Sequence, residues 1–187
     1  MKRMIYLIST LFLTSCFYYE ETLVLNNDSS GTLEIDVEFG KLISMLSQFD
    51  SKHEFEFDTK KDLKLPKGME LISVEDDYRK GRRFINMKFS FEDINDVSHV
   101  NIKNNKAKFE FDSFFHEIEF DGTRYHRVIE LEKAKKKEDE LPKFLKNMID
   151  LSFTFHLKLE DTEQKTWTYS FDRIAGNKNI VMTAEVD

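Results

Sequence analysis

An α+β fold is predicted, built on a predominantly antiparallel β-sheet of about nine strands with two short helices packed on one face. Three observations carry that expectation. Apolar and polar residues alternate with period two over most of the chain, and Asp, Asn, Ser and Gly punctuate the runs. Only two longer stretches switch to the spacing of three and four that marks a helix. An all-β sandwich or open barrel is the nearest alternative.

Taken in order, Thr22–Asn26 (TLVLN) and Thr32–Phe39 (TLEIDVEF) flank the turn residues Asp28, Ser29, Ser30 and Gly31, which is the pattern of a hairpin. Leu33, Ile35, Val37 and Phe39 would face the core. After Gly40, the positions of Leu42, Ile43, Leu46 and Phe49 predict the first short helix. HEFEF, from His53 to Phe57, returns to alternation, and Pro66 and Gly68 mark a loop. A second hairpin joins Met69–Asp77 to Arg82–Phe91 through YRKG, with Ile85, Met87, Phe89 and Phe91 on one face. EDINDV reads as one helical turn and Asn101–Asn105 as a polar loop. Lys108–Phe111, His116–Phe120 and TRYHRVIELE follow as strands, and Asp121-Gly122 turns the chain into the last of these. KAKKKEDE is a solvated charged run, and Leu141–Ile149 is the second short helix, with Pro142 in its first turn. Ser152–Leu159, KTWTYSF and Asn179–Val186 complete the strands. The 18 phenylalanines supply ample apolar volume for one domain at this length.

The N-terminus, MKRMIYLISTLFLTSC, follows different rules. Lys2 and Arg3 precede ten mostly apolar residues, Met4–Leu13. A helix crossing a hydrocarbon core needs roughly 20 residues, so the run fits a secretory signal instead. Leu13-Thr14-Ser15-Cys16 resembles the lipobox of bacterial lipoproteins, an aliphatic residue and two small ones before the cysteine. The resemblance implies that Cys16 is acylated and becomes the mature N-terminus. Cys16 is the only cysteine of 187 residues, so no disulfide framework accounts for it. The predicted organisation is a lipoprotein signal peptide over 1–15, a lipid-anchored segment over 16–20, and one α+β domain over 21–187. Phe17, Tyr18 and Tyr19, next to the lipid, are expected in the membrane interface, where aromatic rings are favoured. Phe17 stands where some Gram-negative inner-membrane lipoproteins carry Asp, which favours the outer membrane.

Loss of residues 1–15 removes Lys2 and Arg3 and leaves 26 cations against 35 anions, a net charge of −9. That balance argues against nucleic acid, whose phosphates are held by clustered Lys and Arg. The five histidines, His53, His99, His116, His126 and His156, show no HxH or HExxH spacing, so no metal is expected. Asn26, Asp28, Ser30 and Gly31 match the start of an EF-hand loop, but position twelve is Val37 instead of Glu. No GxSxG is present, and six glycines leave no phosphate-binding loop. Carboxylates are abundant, notably Asp76, Asp77, Glu92, Asp93 and Asp96, but a catalytic pair needs convergence in a cleft. Phe114 and Phe115 cannot both point inward from one strand. No cofactor and no catalytic residue are expected. The reading is a non-enzymatic binding or structural module with a lipid or protein ligand. A lipid or glycolipid carrier with an apolar groove is the alternative, and a hydrolase with a carboxylate site is the third.

The order of these parts resembles the LppM-type domain family of envelope lipoproteins and similar lipoproteins of spirochaetes. Asp28, Ser30 and Gly31 in the first turn, Phe91 after the central strand, and Trp167 in TWTYSF carry the likeness. Relatives often have Asp-Gly-Ser-Gly in the turn and Pro-Gly where this chain has Glu160-Asp161. The resemblance implies an α+β domain displayed on the envelope, with no catalytic residues.

Overall fold

The computed structural model describes residues 16–40, 44, 63–96, 101–104, 109–112, 118–130, 150–160, 162–170 and 179–185. Among them twelve strands occur: β1 Cys16–Leu25, β2 Gly31–Glu38, β3 Leu63–Lys64, β4 Met69–Arg79, β5 Arg82–Phe91, β6 Asn101–Asn104, β7 Phe109–Asp112, β8 Ile118–Phe120, β9 Arg124–Glu130, β10 Asp150–Leu159, β11 Lys165–Ser170 and β12 Asn179–Glu185. They form a six-stranded sheet in the order β11-β10-β1-β2-β5-β4 and two three-stranded sheets, β12-β9-β8 and β3-β6-β7. The predominantly antiparallel expectation holds, with one exception. β1 and β10, at the middle of the large sheet, run parallel from Cys16↔Asp150 to Leu25↔Leu159. Period two shows which residues share a face and says nothing about strand direction, so this pairing was not legible.

The alternation behaves as expected from local chemistry. Tyr19, Glu21, Leu23 and Leu25 of β1 share a face with Leu33 and Ile35 of β2, Met87 and Phe89 of β5, and Phe153, Phe155 and Leu157 of β10. Gly31 closes the first hairpin where no side chain fits. A Cβ there would lie 2.0 Å from the Val24 carbonyl oxygen and 2.8 Å from the Phe91 ring. In the turn before it, the Asp28 carboxylate accepts bonds from the Ser30 backbone N–H (3.0 Å) and hydroxyl (2.6 Å). A hairpin, not a calcium loop, uses those oxygens.

The expected pair of helices covering the sheet is not supported. Both segments, 41–49 and 141–149, lie outside the described residues except Ser44, whose N–H bonds the Gly40 carbonyl. Among the described residues a 3₁₀ turn, Ile94–Asp96, forms inside EDINDV. What covers the apolar face of the large sheet is instead a second sheet. Tyr125 and Ile129 of β9, Ile180, Met182 and Ala184 of β12, and Ile118 and Phe120 of β8 join the same buried cluster. An amphipathic strand hides one face as well as a helix does, so the two solutions look alike at the level of composition. Asn101–Asn104, expected as a loop, is a strand. β4, at the sheet edge, carries a bulge that leaves Ile72 54 % exposed. Such an irregularity keeps an edge from pairing with another chain.

Candidate functional site

Strand β1 brings the sequence-predicted site into the fold. Cys16 is its first residue, so the regular sheet begins at the proposed lipid attachment point and residues 16–20 are part of the strand. Tyr19 is fully buried, with its ring 6.0 Å from those of Phe153 and Phe155. Tyr19 therefore does not lie in a membrane interface; register with the core rows on either side turns it inward. Tyr18, one residue earlier, faces the other way and is half-buried. The Phe17 side chain, His53, His99, Phe114, Phe115 and His116 lie outside the described residues.

On the inner face the same alternation buries a charge. Glu21 projects between the two sheets and meets Arg127 of β9, at 2.5 Å from Nη1 to Oε1 and 3.2 Å from Nη2 to Oε2. The Tyr19 hydroxyl donates to Glu21 Oε2 at 2.9 Å, and the Arg127 guanidinium lies 5.0 Å from the Phe155 ring centre. Both charged residues are 1 % exposed. Burial on its own would lower the Arg127 guanidinium, but Glu21, Tyr125 and Tyr19 together hold it above its ordinary value. Burial drives Tyr19 well above the usual phenol range, reinforced by Glu21. Burial likewise pushes Tyr125 up to about 12, with Arg127 acting against it. These phenols stay neutral at any physiological pH.

The outer face carries a polar chain across three strands. The Tyr18 hydroxyl donates to Glu20 Oε2 at 2.8 Å, and Glu20 Oε1 lies 3.0 Å from His156 Nε2 on β10. His156 Nδ1 is 2.8 Å from the Thr166 hydroxyl of β11 and 2.9 Å from Gln164 Nε2. An amide nitrogen can only donate, so Nδ1 accepts and Nε2–H donates to Glu20. A hydroxyl, an imidazole and a carboxylate in sequence are the parts of a nucleophile relay. Here the Nδ1 lone pair is already met by two donors, an arrangement suited to tying β1, β10 and β11 together. Next to it, Asn86 donates through Nδ2 to Glu34 (2.8 Å) and Asp36 (2.7 Å). Burial, then Glu34 and Glu20, raise Asp36 above the ordinary carboxylate range despite the Asn86 bond.

The carboxylates singled out in the sequence are not brought together. Asp76 is held by Arg83 at 2.9 and 2.5 Å near one end of the large sheet. Glu92 and Asp93 follow β5 at the other end, and Asp93 binds Asn95. Sequence reasoning missed Arg127, which sits in TRYHRVIELE at an inward position between Tyr125 and Ile129. An inward arginine in a strand was the available signal. Among the described residues no helix is long and apolar enough to cross a membrane. Compared with known proteins, the chain matches no family model and no curated protein.

Proposed function

We propose that the protein is a bacterial envelope lipoprotein, held through acyl chains on Cys16 after loss of residues 1–15. On this reading its β domain is a non-enzymatic binding or structural module of the kind its LppM-like motifs suggest. The observation that carries the reading is the sequence KR–apolar run–LTSC, ending at the first residue of β1. Two or more acyl chains suffice for stable attachment where one does not. Metabolic labelling with palmitate tests the anchor. Label is expected on the wild-type chain and absent from Cys16→Ala, which should also leave the membrane fraction; label persisting in the variant would overturn the reading. The described residues between the two sheets gather into one buried cluster around Glu21 and Arg127. That supports a module acting through its surface over a carrier enclosing a lipid.

A further inference from the structure

The two ends of the large sheet differ. The row Tyr18–Glu38–Phe84–Asp77 crosses β1, β2, β5 and β4 in register. Beyond it β4 continues through Tyr78 and Arg79 to the Lys80–Gly81 turn, and Cys16 lies two residues beyond Tyr18 in the same direction. Lipid attachment point and hairpin tip thus leave the sheet at one end, two to three strand spacings apart, on the order of 10–14 Å.

The tip, Tyr78-Arg79-Lys80-Gly81-Arg82-Arg83, is rich in cations. Both central residues have positive φ, 54° at Lys80 and 76° at Gly81, the geometry of the tight turns that fit a twisted hairpin. The arginines are matched by carboxylates, Arg79 with Glu75 and Asp77, Arg82 with Glu38, and Arg83 with Asp76, so the charge available to a ligand is that of Lys80. Lys80, at the outermost point, is exposed and makes no ion pair among the described residues. Tyr78, two residues before it, is 38 % exposed. The far end is acidic. Asp28, Glu92, Asp93, Glu160 and Glu163 lie at the β1–β2 turn, at the ends of β5 and β10 and before β11, and outnumber the lysines there, Lys67, Lys158 and Lys165.

We propose that the Cys16 end of the sheet rests on the membrane, with the Tyr78–Arg83 hairpin tip as a second contact that takes anionic lipid headgroups at Lys80. The proposal rests on the lipid anchor at Cys16. With the strand starting at the acylated residue, no tether lets the domain turn freely, so the tip is carried to the headgroup layer. Tyrosine is favoured at that depth, and a cation near an anionic surface strengthens binding by about fivefold. A chain of net charge −9 after processing is otherwise repelled by such a surface, which keeps the acidic end away.

Full-length, palmitate-bearing protein with Trp167→Phe, reconstituted in vesicles containing brominated lipid, tests the orientation. A tryptophan placed by Tyr78→Trp is expected to be quenched, and one placed by Ser30→Trp at the far end is not. Phosphatidylglycerol should deepen the Tyr78→Trp quenching relative to phosphatidylcholine, and Lys80→Glu should abolish that difference. Equal quenching of both probes, or none at Tyr78→Trp, overturns the orientation. Indifference to Lys80→Glu overturns the headgroup contact. Protein without palmitate would overturn the anchor, and this proposal with it.

Discussion

Tyr18-Tyr19-Glu20-Glu21 holds two Tyr–Glu pairs of identical composition, interleaved one residue apart on β1. Each tyrosine donates to the glutamate two residues on, at 2.8 Å on the outer face and 2.9 Å on the inner. Only their surroundings differ. The outer pair ends on a histidine beside solvent; the inner pair ends on an arginine with which it is sealed between two sheets. Identical local bonds therefore have different worth. A low dielectric strengthens the inner ones and makes each partner costly to leave alone.

The largest expected effect comes from breaking the inner pair on one side. Glu21→Ala or Arg127→Met should destabilise the fold by about 3–5 kcal/mol, read from urea unfolding, because a buried charge loses its partner. Replacing both, Glu21→Leu with Arg127→Met, should recover most of that loss. If the double variant were as unstable as either single one, the cost would lie in shape and not in stranded charge.

Alkali should probe the same site. The folded-state pKa of Tyr125, about 12, exceeds its ordinary value of 10.0. The fold therefore favours the neutral phenol. Its contribution is fully present below pH 10 and is lost as pH rises through about 12, a decline of about 3 kcal/mol. Tyr125→Phe should flatten that part of the stability–pH curve relative to wild type. Equal slopes would remove the buried phenol from the account.

The outer pair should respond weakly. His156→Ala or Glu20→Gln is expected to cost less than about 1 kcal/mol, since a neutral hydrogen bond at a partly solvated site contributes about that much. A loss as large as that of Glu21→Ala would erase the contrast between the faces. Smallest of all, Asp36→Asn should raise stability at pH 7 by about a few tenths of a kcal/mol. Burial and the carboxylates of Glu34 and Glu20 hold the Asp36 pKa above its ordinary value. Its neutral form is thus the favoured one in the fold, and wild type should gain slightly as pH falls through that pKa.

Several features could be read from residue order. Leu33, Ile35, Met87 and Phe89 were placed inward by alternation alone, and the Asp28–Gly31 and Lys80–Gly81 turns followed from their side chains. Inward direction for Tyr19 and Glu21 was equally available, because both share the face of Leu23 and Leu25. For Tyr19 the nearness of Cys16 points instead to a membrane environment, yet the second sheet covers it. Arg127 was harder to place. Its partner is 106 residues away in sequence, and nothing local marks which strand a buried cation will meet.

Sequence by itself determined the faces of the strands, the turns, the acidic balance and the place of the lone cysteine, because each depends on side chains within a few residues of one another. The tertiary structure decided that β1 and β10 run parallel, that a second sheet closes over the first, and that Glu21 finds Arg127. Those outcomes depend on packing distant segments into one interior, where shape and the need to neutralise a buried charge select among arrangements that local alternation leaves equal.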